Sequence, residues 1–304
     1  MDTTSVAASI LPSGPDRMTV RKMPFDFTPR NESWNPDKPE FAHIVNSASL
    51  AMPYLEPYLI KSMRKARPLI KDETLLEELD KYIKQEATHY RRHKEFNDTL
   101  SAKGYASVAR MEGTLAKDYA KLESRRSLRF NLAYAEGFEA MALAIGEMLI
   151  DDREYLFGDS DSAVASLILW HFVEEIEHKN VAYDVLHHLH PGYFLRIFGL
   201  VYATSHIFWR TGQGYRALLK EDGLWQSSKS RWKLLKVLGR VMKSIIPKWL
   251  RILRPGYHPK SVKDPSWGVE WASVFDEGGS DLAKLDTRRL HEAVPVGSTI
   301  EMRL

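Results

Sequence analysis

The sequence predicts an all-α fold. Apolar residues recur at spacings of three and four through most of residues 40–246, and no segment alternates with period two for long enough to form a sheet. No internal repeat is present. The 304 residues are 44% hydrophobic and 27% charged, which is enough apolar material for one large or two medium cores and excludes a chain that is disordered throughout.

Prolines, helix-capping residues and glycines mark the ends of the first predicted elements. Residues 1–39 contain six prolines among small polar residues, which predicts a loosely ordered lead-in. A helix over about 41–68 is expected to kink at its two internal prolines. Asp72 can cap a long second helix that ends at Gly104.

The remaining elements follow a longer crossover at about 104–124. Two helices are predicted at 127–150 and 161–188, with Gly158 and its polar neighbours between them. Two more follow at 193–219 and 228–246, and the last 50 or so residues are expected to be irregular. The predicted organisation is a lead-in, a metal-binding bundle with a lid helix, and a basic C-terminal part: residues 1–39, 40–220 and 221–304.

Composition excludes several kinds of site. The chain has no cysteine, so disulfides, thiolate zinc sites, iron–sulfur clusters and cysteine nucleophiles are excluded, and a metal must rest on His, Asp and Glu. The longest uncharged stretches, such as 197–209, fall short of a membrane-spanning helix. The first 25 residues lack the pattern of a secretory signal. We expect a cytoplasmic protein.

The charge is unevenly distributed along the chain. The net charge is +3, but residues 223–263 hold eleven Lys or Arg and no Asp or Glu. Within them, 228–246 form a predicted basic amphipathic helix, which suits an anionic membrane surface, an acidic carrier protein, or plain packing on the bundle. Peripheral membrane association is therefore one expectation. Nucleic acid is not an expected partner because no binding motif accompanies the charge, and no oligomeric state is predicted.

Four predicted helices carry a candidate metal-ligand set. Two of them place Glu and His three residues apart, and two others place a carboxylate on an apolar face; in order these are Glu56, Glu86 with His89, Glu136, and Glu175 with His178. Residues three apart share a helix face, so both side chains of a pair can reach one metal centre. This order is that of ferritin-like carboxylate bundles with two iron or manganese ions, and it predicts a ferritin-like four-helix bundle with additional C-terminal helices.

Chance alone yields about one Glu-x-x-His pair in a chain of this composition. A third pair, Glu40 with His43, lies too far from Glu56 to share its centre and is interpreted as surface or helix-entry residues. Glu174 and Glu177 are interpreted as exposed helix charges. Asp184 is a weak candidate for supporting a ligand through a hydrogen bond.

Three further residues leave alternatives open. Glu139 shares the face of Glu136 and could replace it as a ligand. His93 and His171 lie one turn from the two pairs on antiparallel helices and are expected to meet. They are candidate catalytic residues: one can add a metal ligand, or the two can form a proton-handling pair, or both can hydrogen-bond to the carboxylates.

Three motifs resemble the bacterial family known as predicted metal-dependent hydrolases. They are Gln-Glu-x-x-His-x-x-x-His at 85–93, Trp-His-x-x-Glu-Glu-x-Glu-His-Lys at 170–179, and Arg-Pro-Gly-Tyr-His-Pro at 254–259. The similarity covers roughly residues 30–275. This chain departs from the family at Leu55, where a Gly is usual before the first carboxylate, and at Gly137, where the family has His. The resemblance implies metal-dependent chemistry.

Three functions fit the ligand set. The first is a non-haem di-iron oxygenase or hydroxylase acting on a hydrophobic small molecule such as an acyl compound, with two Fe ions, or Mn or Zn as alternatives. In it Glu86 and Glu175 would bridge, Glu56 and Glu136 would be terminal, and each metal would take one of His89 and His178. The second is a two-metal hydrolase, and the third is a non-catalytic iron-binding protein. The ligands alone do not separate them.

Overall fold

A computed structural model describes residues 18–28, 32–276 and 280–298. Over these residues the fold is all-α, as predicted, and the only β-type pairing is one isolated bridge between Leu285 and Pro295. The helices are α1 Pro39–Ser49, α2 Met52–Ala66, α3 Glu73–Ala102, α4 Ala106–Arg125, α5 Leu128–Asp151, α6 Arg153–Phe157, α7 Ser162–Glu177, α8 Val181–Leu189, α9 Tyr193–Glu221, α10 Ser228–Ile252 and α11 Ser266–Asp276.

Helices α2, α3, α5 and α7 form the bundle that carries the candidate ligands. Three of them begin at side-chain caps: Asp72, Ser127 and Asp161 accept hydrogen bonds from backbone N–H groups three residues on, at 3.0–3.3 Å. The predicted cap at Asp72 is confirmed. α5 and α7 are apolar almost all round and are buried along nearly their whole length, because other helices cover both faces.

Several predicted bounds differ from those observed. The first predicted helix is two helices, because the chain breaks at residues 50–51 and Pro53 stands in the first turn of α2, where its missing N–H costs nothing. The predicted crossover is itself a helix, α4. The fourth predicted helix ends at Glu177, and a short break precedes α8.

The predicted lead-in is irregular over residues 18–28, but it packs into the core. These residues have no regular secondary structure, but Met18, Met23 and Phe25 are buried in the core. Residues 1–17 and 29–31 lie outside the described residues. The last 50 or so residues, which were expected to be irregular, contain the helix α11, and its Trp267 and Trp271 are buried.

Helix α9, the predicted lid, packs directly on the backbone of α5. A Cβ added to Gly199 would overlap the carbonyl oxygen of Ala133, and one added to Gly137 would overlap the backbone of Gly199. Only glycine permits this approach, so α5 and the lid share one tight contact. No helix in the described part of the chain has both the length and the apolar character to cross a membrane.

Candidate metal centre

Two clusters of buried ligand atoms lie inside the bundle. One contains Glu56, His89 and His171, and the other contains Glu86, Glu139, Glu175 and His178. Within each cluster the candidate ligand atoms lie within 4.8 Å of one another, and every one of these residues is buried. Such a concentration of carboxylates away from water is costly unless a cation neutralises it.

Glu175 joins the two clusters. Its Oε1 lies 2.9 Å from Nε2 of His171 and 3.6 Å from Nδ1 of His89, whereas its Oε2 lies 3.3 Å from Nε2 of His178. Burial by itself would raise the pKa of this carboxyl, but the neighbouring histidines, His178 above all, hold it well below its usual range. One oxygen therefore faces each cluster, which is the placement that a bridging carboxylate requires.

The imidazole of His171 is oriented by a chain of hydrogen bonds from α1 and α3. Asn97 donates through Nδ2 to the carbonyl of Ser49, which turns its Oδ1 towards the Ser49 hydroxyl, and that hydroxyl donates to Oδ1 at 2.7 Å. Oγ of Ser49 then accepts from Nδ1 of His93 at 2.8 Å, and Nε2 of His93 accepts from Nδ1 of His171 at 2.6 Å. The predicted meeting of His93 and His171 is confirmed.

These hydrogen bonds leave an unprotonated nitrogen of His171 inside the site. Burial lowers the pKa of His171 to about 4 and that of His93 well below its usual value, so both rings are neutral at pH 7. With Nδ1 of His171 protonated, its Nε2 carries a lone pair 2.9 Å from Oε1 of Glu175 and 3.8 Å from Oε1 of Glu56. Lone pairs that face one another at this distance repel, and a metal cation between them removes the conflict.

His89 is oriented by a carboxylate on α7. Its Nε2 lies 3.0 Å from Oε2 of Glu174, which leaves Nδ1 facing the cluster without a hydrogen-bond partner among the described residues. Glu174 is fixed in turn by the indole N–H of Trp170 at 2.9 Å. A carboxylate behind an inward-facing imidazole is the usual support for a metal-binding histidine.

His178 is oriented by an amide. Gln85 donates through Nε2 to the carbonyl of Thr19 and to Glu177, so its Oε1 accepts from Nδ1 of His178 at 3.0 Å. Nε2 of His178 then faces Glu175, Glu86 at 3.2 Å and Glu139 at 3.5 Å. Burial alone would lower the pKa of His178, but Glu175 and Glu139 raise it to about 10.

The inner carboxylate oxygens pass a test of fit for metal ions. Both oxygens of Glu56 and of Glu86, and Oε2 of Glu139, are buried and accept no hydrogen bond among the described residues. Burial, then the neighbouring Glu175, raises the pKa of Glu56 and of Glu86 well above the usual range. Oxygen and imidazole donors of this kind suit iron, manganese or zinc. The chain thus offers ligand atoms whose cost of burial a bound cation would remove.

Glu139 occupies the place for which the sequence offered Glu136 or Glu139. Its Oε1 accepts from the hydroxyl of Tyr82 at 2.7 Å, and burial followed by Glu175 raises its pKa to about 7. Glu136 is buried too, but it belongs to neither cluster. Of the six residues in the predicted ligand set, five lie in the clusters and Glu136 does not. His93, the seventh candidate ligand, is outside the clusters too, whereas Glu139 and His171 are included.

Two carboxylates were misjudged because their charge suggested exposure. Glu174 and Glu177 are 0% and 4% exposed, and both pair with Arg21 of the N-terminal segment, at 3.2 Å and 2.6 Å. The signal that would have identified them is the apolar run Ala163–Val173, which contains no charged residue and therefore belongs to a buried helix. No feature of the sequence pairs Arg21 with them.

Two other expectations are corrected by burial or position. Glu40 and His43 are both 2% exposed rather than on the surface, and His43 bonds to Asp222 at 2.9 Å, outside both clusters. Asp184 does not support the ligands; its hydrogen bonds are to Asn180 and His258.

Comparison with known proteins identifies a family. Residues 19–263 match the model of a family described as predicted metal-dependent hydrolase, which covers most of the chain and both His-bearing motifs. No curated protein and no solved structure matches. The match confirms the resemblance that the motifs predicted: the chain belongs to the family of predicted metal-dependent hydrolases.

Proposed function

We propose that the protein is a hydrolase that uses two metal ions, one in each cluster. The observation that carries the proposal is that all three imidazoles of the clusters have their outer nitrogen fixed by a partner, leaving the other to face carboxylates. Family membership favours hydrolysis over oxygen activation. Glu175 would bridge the ions, with Glu56, His89 and His171 on one side and Glu86, Glu139 and His178 on the other.

Bound metals would supply Lewis-acid polarisation of a substrate carbonyl or phosphoryl oxygen and a nucleophilic water at neutral pH. The chain supplies orientation and water exclusion around them. Glu174, Gln85 and His93 hold the three imidazoles in one tautomer each, so that no side chain needs to reorganise as the substrate reacts. Phe25 and Trp170, whose rings lie 5.4 Å apart, pack behind His89 and keep bulk water from that side.

We propose a cavity of about 450 Å³ as the substrate pocket. Phe96 lines it one helical turn beyond His93 on α3, and Phe27 and Leu100 add apolar surface. His43 and Lys103 add polar groups at another part of the wall. The wall also holds Lys284 and three carboxylates, Asp26, Glu32 and Asp161. A small molecule with an apolar portion and a polar end, such as an acyl ester, has the matching chemistry.

The test combines metal analysis with hydrolysis assays. Purified protein loaded separately with manganese, zinc or iron should hold about two ions per chain and hydrolyse members of a panel of acyl and phosphate esters. Glu175→Gln should lose at least one ion and reduce turnover by about a hundredfold or more, because it removes the bridge. Glu77→Gln is the matched control, since Glu77 lies exposed on α3 and pairs with Lys81.

The di-iron oxygenase remains the competing hypothesis, since four carboxylates with few imidazoles suit iron. The same preparation separates the two. Iron-loaded protein that is reduced with dithionite and exposed to air should show no oxygen-dependent absorbing species if hydrolysis is the function. A transient species of this kind, together with no ester or phosphate hydrolysis under any metal, would reject the hydrolase.

A further inference from the structure

Helix α9 exposes a stripe of large apolar side chains. Phe194 is 85% exposed and Trp209 is 66% exposed, and Phe198 and Val201 lie between them, each at least half exposed. Steps of four, three and eight residues place all four on one face of the helix. The opposite face holds Gly199, which contacts the backbone of α5. One member of the stripe packs on α5, since the rings of Phe198 and Phe130 lie 5.9 Å apart, but half or more of the side-chain surface of all four residues stays exposed.

Helix α10 has three distinct faces. The first packs on the core through Leu234, Val237, Ile245 and Ile252. The second is apolar but exposed, and it comprises Trp232, Leu235, Met242, Ile246 and Leu250, with Trp232 61% exposed. Leu235 is 60% exposed and Met242 is 36% exposed. Packing on the bundle accounts for the first face and leaves the second without an explanation.

The third face of α10 is basic. Lys233, Lys236 and Lys243 each directly follow a residue of the exposed apolar face, so the two stripes run side by side, about 100° apart around the helix. Arg240, Lys248 and Arg251 pair with acidic residues near the end of α5. Within the described residues no carboxylate pairs with Lys229, Lys233, Lys236 or Lys243, and 223–263 contain no acidic residue at all.

The exposed stripes lie on neighbouring helices. The rings of Phe208 and Trp249 are 5.6 Å apart, and the hydroxyl of Tyr193 donates to the carbonyl of Leu253 at 2.7 Å. We propose that α9 and α10 together bind the surface of an anionic lipid bilayer. The lysines would meet lipid phosphates while the aromatic and aliphatic side chains enter the boundary between headgroups and acyl chains.

Charge favours lipid over a second copy of the chain. A two-fold interface brings the same face of both copies together, so the lysine stripes of the two α10 helices would meet and repel. An anionic bilayer is instead complementary to both stripes at once, because it offers phosphates beside an apolar layer. The inference is independent of the proposed hydrolysis, since none of these residues belongs to either cluster.

The test is co-sedimentation of the metal-loaded full chain with vesicles. Phosphatidylglycerol vesicles at low salt should bind the protein, and phosphatidylcholine vesicles should bind it at least tenfold more weakly. High salt should weaken the binding to phosphatidylglycerol vesicles. Because each lysine near such a surface contributes about fivefold to binding, Lys233→Glu with Lys236→Glu should weaken it by about 25-fold or more. Phe194→Ser should weaken it by roughly tenfold, through loss of apolar contact.

Lys71→Glu with Lys84→Glu is the matched control. It makes the same charge change at two exposed residues, of which Lys71 precedes α3 and Lys84 lies on it. Binding of the vesicles should change by less than about threefold. Circular dichroism and metal content establish that each variant is folded. The proposal is overturned if phosphatidylglycerol vesicles fail to bind at low salt, or if both double variants behave alike. It is also overturned if light scattering shows a dimer that Trp232→Ser dissociates while no lipid binds.

Discussion

The choice between Glu136 and Glu139 gives the sharpest test of the site. Both lie on α5, one turn apart, and both are buried, but only Glu139 faces His178. Glu139→Gln should therefore lose metal, because the amide supplies a poorer ligand in one cluster. Glu136→Gln should retain the full metal content, measured by elemental analysis after equal loading.

Glu136 has a second, independent signature in its effect on stability. Both of its oxygens are buried without a hydrogen-bond partner among the described residues, and this burial raises its pKa to about 8 despite the opposing charge of Arg196. The folded protein therefore keeps a proton that the unfolded chain releases above pH 4.5. Wild-type stability should fall as the pH rises from about 4.5 towards 8.

The magnitude follows from the pKa difference. Each pH unit within that window costs about 1.4 kcal/mol, so between pH 5 and pH 7 the carboxyl should reduce the free energy of unfolding by about 2.5 kcal/mol. Glu136→Gln has no proton to lose there. The free energy of unfolding of metal-free wild type and Glu136→Gln can be measured in urea at both pH values. The difference between variant and wild type should shift by about 2.5 kcal/mol in favour of the variant from pH 5 to pH 7.

Two results would refute this reasoning. If Glu136→Gln loses metal while Glu139→Gln keeps it, the ligand is Glu136 and the cluster is wrongly composed. If the stability difference between wild type and Glu136→Gln is the same at pH 5 and pH 7, the carboxyl is ionised in the folded state. Glu154→Gln, an exposed substitution on α6, is the control for the unfolding measurements and should leave their pH dependence unchanged.

Three further predictions test the ligands, their support and the fold. His89→Ala and Glu175→Ala should be folded but metal-depleted, because buried like charge is lost with the cation; full metal content in both would reject the site. His93→Ala should retain metal and lose most turnover, because it frees the ring of His171; wild-type turnover with full metal would deny it any role. Gly199→Ala should lower the free energy of unfolding by about 3 kcal/mol or more through overlap with α5, whereas Gly239→Ala, with open space around it, should raise it by about 1 kcal/mol.

The sequence predicted which candidate ligands would come together, because helical periodicity is a local property. Glu86 with His89 and Glu175 with His178 are three residues apart, and any helix brings such pairs to one face. The same rule placed His93 and His171 opposite one another once the two helices were taken as antiparallel. Periodicity could not choose between Glu136 and Glu139, since a small rotation of α5 decides which of them points inward.

The residues that orient the ligands were harder to predict because they come from distant parts of the chain. Gln85 and Glu174 stand beside ligands in sequence, but only the tertiary structure shows that they bond to His178 and His89. Ser49 reaches His93 from α1, 44 residues away. The exposed faces of α9 and α10 could not be predicted either, because an apolar stripe does not reveal which of its sides another helix will cover.

Arg21 shows how one residue outside the bundle can affect both clusters. Its guanidinium pairs with Glu174, which holds His89, and with Glu177, which shares Gln85 with His178. Arg21→Ala would leave two buried carboxylates without their cation, which should cost about 3–5 kcal/mol of stability. It should also loosen His89 and His178 together, so we expect weaker binding of both metals. Competition with a chelator measures this affinity. Arg153→Ala is the matched control, because Arg153 is a partly buried arginine whose hydrogen bonds are to backbone carbonyls away from the ligands. Loss of a single ion from the Arg21 variant would show that the two clusters are supported separately.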